Sequence, residues 1–431
     1  MKVTIYRGTK EIGGTLVEVK SAGSRILIDA GYPLLLNGTT IDPGLVKSSA
    51  EKLLELGILP AVKGLYAWDD PAFSAVLISH AHLDHYGLLK YINPSIPVYM
   101  SKGTCEIIRL SQLFKIADPI AAEITTFEMQ HTFQIGDFSI KPYLMDHSAF
   151  DAAAFEISSK GKTIIYSGDF RGHGRKPWCI DKFIDGAVKN ADVLLTEGTM
   201  LSRPDEKVQT EDELKDDLTA KIQHSNGPVL FQASGQNIDR LVTFYKAAAG
   251  LQRMFVIDIY TANILSALKR LGNGLPYPSA EFPYIKVFYP YRLTQKIFNE
   301  IGKEFAWNFS PYRISRKQIN ESQNEIVMMV RPSLQKDLDN CGLHDGLFVY
   351  SMWQGYRDSP YQKNFEEYLS DSGFRSTFLH TSGHASLADI LKVINGIDPK
   401  KIVPIHTLNP KEFARFSDKV EQQQDGVGFD V

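Results

Sequence analysis

His80-Ala81-His82-Leu83-Asp84-His85 is the stretch on which the reading of this chain turns. It leaves the apolar run Ala75-Val76-Leu77-Ile78, which has the composition of a buried strand, and it leads into residues 86–92, whose apolar spacing predicts a helix. Three of the eleven histidines thus fall within six residues, on a strand-to-helix loop. Such a loop can turn all four polar side chains into one pocket, which the fixed periodicities of a strand or a helix cannot do. Imidazole and carboxylate suit zinc, and the absence of cysteine from the run speaks against a structural thiolate site.

Outward from this run, polar residues stand just past other apolar strands. Asp29 follows Arg25-Ile26-Leu27-Ile28, His147 follows the run ending Leu144-Met145-Asp146, and Asp169 follows Ile164-Ile165-Tyr166-Ser167-Gly168. Glu197 closes Val193-Leu194-Leu195-Thr196, and His406 closes Ile402-Val403-Pro404-Ile405. Ligand sites in sheet-based α/β proteins gather where strands end and loops converge on a rigid scaffold. A lone His147 or His406 in such a place is ordinarily a hydrogen-bonded surface residue. Six strands ending on one kind of chemistry point instead to a shared site.

The 431 residues are 43% hydrophobic and 23% charged, a globular composition with room for two or three domains. A net charge of −3 gives no overall attraction to nucleic acid, so such a partner has to meet a local patch. The scattered Cys105, Cys179 and Cys341 predict free thiols in a reducing compartment. The N-terminal MKVTIYRGTKEIGGT lacks the apolar core of a secretion signal, and no run reaches the ~18 apolar residues of a membrane span. The expected location is cytoplasmic, with no membrane partner.

Short strands and Gly-rich turns fill the first two hundred residues, with helices predicted near 43–56, 86–92 and 102–116. The texture changes near 209, where Thr210 stands three residues before Glu213 as in a capping box. The strand patterns 227–234 and 253–260 each precede a helical pattern, which predicts a separate parallel sheet. Strand-then-loop texture returns at 374–385 and leads to the strand at 401–406. One domain interrupted by another is the simplest organisation.

These residues together resemble the metallo-β-lactamase superfamily and, within it, the β-CASP nucleases, which include ribonuclease J and the endonuclease of mRNA 3′-end cleavage. The resemblance covers nearly the whole chain. It implies an α/β fold, a metallo-β-lactamase αββα sandwich made of 1–208 and 373–431, with an inserted β-CASP domain at 209–372 lying over its strand ends. It implies one zinc held by His80, His82 and His147, a second held by Asp84, His85 and His406, and Asp169 bridging the two. Asp29 resembles the family's outer acid, which orients ligands. Glu197 in LLTEGT, His384 in HTSGHAS and His406 in VPIHT match the β-CASP branch, with His384 at its phosphate-contacting histidine. Two features depart from ribonuclease J. Residues 407–431 stand where that protein continues into a C-terminal domain, and Thr407-Leu408 replace the Gly-Glu usual there. The resemblance is therefore to a compact relative, with 5′-exonuclease action and assembly not carried over and a homodimer left open.

Two divalent ions ~3.5–4 Å apart share a hydroxide in such sites and clamp the oxygens of an in-line displacement. The expected reaction is attack on phosphorus, with zinc as the cofactor and manganese as the alternative ion. Asp84, His384 and Glu197 are the residues expected at the chemistry. Asp84 also belongs to the ligand set, His384 donates to a phosphoryl or leaving oxygen, and Glu197 positions His384 or His406. Weaker candidates for substrate contact are Ser234 and Arg240 in SGQNIDR, where a plain capped turn explains the sequence equally well. The stretch PYRISRK at 311–317 interleaves aromatic and basic residues as strand-tracking surfaces do, and as ordinary solvated faces also do. Single-stranded RNA is the expected substrate, since a near-neutral chain favours short strand contacts over a large duplex surface. The rivals are a DNA nuclease, a thioesterase or lactonase on the same metal core, and a scaffold subunit without metals.

Overall fold

Alternation builds the first sheet. In Lys2–Arg7 the side chains of Val3 and Ile5 are buried while Lys2 is exposed, and Val17, Val19, Ile26 and Ile28 repeat the pattern on the next two strands. The computed structural model describes all residues except 37, 38, 42, 43, 204–207 and 273. The chain divides into two units, one of Met1–Lys207 with Gly383–Val431 and one of Val208–Ser382.

The first unit contains two large sheets. One has seven strands in the order Gly428–Asp430, Lys2–Arg7, Leu16–Ser21, Ser24–Ile28, Ala75–Leu77, Val98–Ser101, Ile124–Phe127. The other has six, in the order Ile402–Ile405, Val193–Glu197, Lys162–Tyr166, Ala152–Ser159, Phe138–Met145, Phe133–Ile135. Their inner faces share one core, where Val3, Ile5, Val17 and Ile28 meet Ile140, Phe155, Ile164 and Val403. Each such buried aliphatic side chain contributes roughly 1.5–3 kcal/mol. The helices Trp178–Gly186 and Leu387–Ile397 cover the outer face of the second sheet through Ile180, Phe183, Ile390, Val393 and Ile394. The two sheets thus pack face to face, with a helix layer outside the second.

The strands that lead to Asp29, His80, Asp169, Glu197 and His406 pair in parallel, whereas Phe138–Met145, which leads to His147, is antiparallel to its neighbours. Ile28 sits opposite Leu77 in one sheet, and Glu197 opposite Ile405 in the other. A hydrogen bond of 2.9 Å from the Ala153 amide to the Ser79 carbonyl joins the two sheets where those ends meet. Strand Ile402–Ile405 lies beside Val193–Glu197 across the whole second unit in sequence.

The second unit is a six-stranded sheet in the order Ile285–Phe288, Met254–Asp258, Ile326–Met329, Val229–Gln232, Leu347–Tyr350, Arg375–Phe378. All its pairings are parallel. The capping box at Thr210 and Glu213 opens helix Glu211–Gln223. Three boundaries are corrected. The return to the first unit falls at Gly383 and not at 373, because Arg375–Phe378 extends the second sheet by pairing with Leu347–Tyr350. The helix read over 86–92 is only Leu83–Tyr86 followed by the 3-10 turn Leu89–Tyr91. Gly87 stands between them in an αR conformation and packs on Tyr32, where a Cβ would lie 2.3 Å from the ring. Within the stretch read as 43–56, residue 43 is outside the described residues, Leu45–Lys47 is a 3-10 turn, and the helix covers Ala50–Glu55. Cys105, Cys179 and Cys341 are free thiols. Among the described residues no helix is long and apolar enough to cross a membrane.

Candidate metal centre

The strand ends of the first unit bring seven donor side chains together. His80 Nε2 and His147 Nε2 lie 3.2 and 3.3 Å from His82 Nδ1, which makes one group. Asp84 Oδ2 lies 3.4 Å from His406 Nε2 and 3.8 Å from His85 Nε2, which makes a second. Asp169 Oδ2 stands 3.9 Å from His80 Nε2 and 3.2 Å from His85 Nε2, so one carboxylate faces both groups. Close backbone packing sets the loop: a Cβ on Gly31 would fall 1.6 Å from the Asp84 carbonyl oxygen.

Outer partners fix which ring nitrogen faces inward. Asp29 accepts hydrogen bonds from the Ser79 amide at 2.7 Å, the Ser79 hydroxyl at 2.8 Å and the Tyr166 hydroxyl at 2.6 Å. It also accepts from His85 Nδ1 at 2.8 Å, which turns Nε2 toward the cluster. The Ser79 proton is committed to Asp29, so Ser79 Oγ accepts from His80 Nδ1 at 3.0 Å. Thr199 Oγ1 donates to the His406 carbonyl at 3.1 Å and accepts from His406 Nδ1 at 2.8 Å. His147 Nδ1 donates to the Gly383 carbonyl at 2.5 Å. In four imidazoles Nδ1 is thus taken by an outer partner and Nε2 faces the cluster. Ser79, Thr199, Tyr166 and the Gly383 carbonyl were not among the candidates from sequence. Ser79 beside His80 was the one readable sign, since a carbonyl and a distant tyrosine leave none.

Electrostatics in the cluster calls for a cation. Burial, then the neighbouring imidazoles, hold His80 and His147 well below the ordinary histidine value, and burial brings His82 down to about 4. Burial alone would raise Asp84 and Asp169, yet the surrounding histidines hold both below the usual carboxylate range. Burial would likewise lower His85, but Asp169, Asp29 and Asp84 push it well above its ordinary value. The protein alone therefore needs a positive charge among three carboxylates, and a divalent ion supplies it. Buried His85 Nε2 and Asp169 Oδ2 face each other at 3.2 Å without a well-formed hydrogen bond, an arrangement that suits two ligands of a metal. The donor set fits metal.

His384 sits at the rim, 19% exposed, with Nδ1 3.2 Å from Glu197 Oε2 and 3.6 Å from Asp169 Oδ2. Burial would lower its pKa, and Glu197 followed by Asp169 raises it above the ordinary value. Fully buried Glu197 also accepts from the amides of Phe170 at 3.0 Å, Thr199 at 3.3 Å and Ala385 at 3.3 Å. Of the two positions considered for it, Glu197 reaches His384 directly. Its link to His406 runs only through Thr199.

Substrate contact by Arg240 is overturned. Its guanidinium is fully buried in the second unit, paired with Glu211 at 3.1 Å and donating to Ser351 Oγ at 2.6 Å. It therefore ties the helix Glu211–Gln223 to the strand end at Ser351. Ser234 is exposed, and its hydroxyl accepts from the Gln236 amide at 3.2 Å. Asn237 caps the helix Ile238–Gly250.

Two layered sheets with a histidine–aspartate cluster at one edge define a metallo-hydrolase of the β-lactamase type. A family profile described as "Beta-lactamase superfamily domain" matches residues 24–226, and one described as "Zn-dependent metallo-hydrolase RNA specificity domain" matches 375–429. The chain is similar to ribonuclease J of Mycoplasma genitalium, 22% identical over 415 residues that cover 94% of this chain and 67% of that protein. Ribonuclease J of Mycolicibacterium smegmatis is 22% identical over 425 residues, covering 94% and 68%. The chain thus spans about two thirds of the length of these relatives. A crystal structure of a protein of unknown function from Enterococcus faecalis shares the fold over 99% of both chains, with a TM-score of 0.81 and 24% identity. The chain belongs to the metallo-β-lactamase superfamily, in its ribonuclease J-like β-CASP branch, and is a metal-binding hydrolase.

Proposed function

We propose that this chain is a metal-dependent ribonuclease that hydrolyses phosphodiester bonds of single-stranded RNA with two zinc ions. One observation carries the reading: seven donors converge in two groups around Asp169, with His85 Nε2 and Asp169 Oδ2 buried and lacking a well-formed hydrogen bond. His80, His82 and His147 would hold one ion, Asp84, His85 and His406 the other, and Asp169 both. Bound divalent ions activate water and offset charge on phosphoryl oxygens. Asp29, Ser79 and Thr199 keep the imidazoles aimed and in the ligating tautomer. His384 holds its proton at the rim through Glu197, where it donates to a phosphoryl oxygen or to the leaving oxygen. Its ring stands 5.3 and 5.4 Å from those of His147 and His406, beside both donor groups. RNA as the polymer is supported by the matched RNA-specificity profile and by the ribonuclease J relatives.

The test offers one end-labelled sequence as RNA and as DNA under identical zinc or manganese. Faster RNA cleavage, lost on chelation, is the expected result. Equal or faster DNA cleavage would refute the RNA preference. Inactivity on both polymers, together with turnover of a thioester or lactone, would overturn the nuclease reading.

A further inference from the structure

We propose that the inserted unit carries its own nucleic-acid contact: a pocket beside strand Ile285–Phe288 that takes one base of single-stranded RNA and an adjoining phosphate. The proposal rests on the ribonuclease reading and adds a site to it. A hollow of about 150 Å³ is lined by Tyr289, Tyr291, Thr294, Trp307, Arg313 and Arg316, among others. The Tyr289 ring stacks on Trp307 with centroids 4.7 Å apart, and the Arg313 guanidinium lies 5.3 Å from the Trp307 centroid. Tyr291 is 63% exposed at the mouth. The frame is rigid, because the Ile314 amide donates to the Val287 carbonyl at 3.0 Å and holds Arg313 alongside the edge strand.

One polar group lining this pocket lacks a partner. Thr294 Oγ1 is buried, at 4% residue exposure, and makes no well-formed hydrogen bond, while the Tyr289 hydroxyl meets the Phe309 backbone. Leaving such a group unpaired is costly, and a ligand with edge donors and acceptors removes the cost. A nucleobase has that edge, and its flat face suits tyrosine, tryptophan and guanidinium surfaces. The charge agrees: seven basic residues stand against two acidic ones between Lys286 and Lys317, in a chain of net charge −3. Arg316 is held by Asp337, which leaves exposed Arg313 as the planar cation best placed for a phosphate.

The test uses the metal-loaded chain with a fluorescein-labelled, phosphorothioate-protected RNA of about twenty nucleotides carrying 4-thiouridine. Irradiation should cross-link the RNA to peptides containing Tyr289, Tyr291 or Trp307. Trp307→Ala and Arg313→Ala should each weaken binding roughly tenfold, the size expected for one stacked base. Arg313 is exposed, so that variant carries the test if Trp307→Ala fails to fold. Absent cross-links and unchanged affinity, with wild-type chain still cleaving RNA, would overturn the pocket and leave the ribonuclease reading standing. Displacement of the cross-link by equimolar AMP would identify a free-nucleotide site and overturn the strand assignment. A wild-type chain that neither binds nor cleaves RNA would overturn both.

Discussion

His384 and Asp169 stand 3.6 Å apart and should fail in different ways when removed. His384→Ala is expected to keep metal content near wild type while lowering phosphodiester cleavage roughly 10²-fold, as for loss of a proton donor or oxyanion partner. Asp169→Ala should lose metal and activity together, because its carboxylate faces both donor groups. Metal analysis beside single-turnover cleavage separates the two, and metal loss in the His384 variant would move that residue among the ligands. The raised pKa of His384 gives a pH signature. Its protonated form is the donor, so kcat should fall as pH rises through a value above 6.5, and the limb should vanish in His384→Ala. The ligands were readable because three histidines and an aspartate in six residues have little other use. Arg240 misled because exposure is invisible in a sequence. An arginine after a strand resembles a phosphate anchor until its partner Glu211, 29 residues earlier, is seen beside it.

At the scale of elements, the Arg240–Glu211 pair is a buried tie between a helix and the end of a strand. Removing one partner leaves an uncompensated charge, so Glu211→Ala should destabilise the inserted unit by ~3–5 kcal/mol. The double change to apolar residues of similar volume should cost much less, and denaturant unfolding of both variants measures the difference. Cleavage lost without lost stability would return Arg240 to substrate contact. The capping box at Thr210 was legible because its signal lies within four residues. The boundary at Gly383 was not, since Arg375–Phe378 reads as a strand in isolation and only its neighbour Leu347–Tyr350 decides which sheet owns it. The helix over 86–92 is a single turn, Leu83–Tyr86, followed by the 3-10 turn Leu89–Tyr91, which apolar spacing alone does not distinguish from one longer helix.

At the scale of the molecule, two units with separate cores should answer differently to metal. Ligands that bind only the folded state stabilise it by mass action. Chelation should therefore lower the melting temperature of the unit holding His80 and His406, and leave the transition of Val208–Ser382 nearly unmoved. Calorimetry with and without chelator, assigned by limited proteolysis, checks this. An equal shift of both transitions, or of neither, would remove the metal from the first unit's stability.

Strand Ile402–Ile405 has one further consequence, which concerns the order of synthesis. His80, His82, Asp84, His85, His147 and Asp169 leave the ribosome before the 175 residues from Val208 to Ser382, while His384 and His406 follow them. The strand that delivers His406 pairs with Val193–Glu197 only once that whole insertion has been made. During translation the growing chain sits beside the message that encodes it, and it still lacks the last donor and the rim histidine. The donor set of the first unit is therefore completed only after the whole insertion has been synthesised.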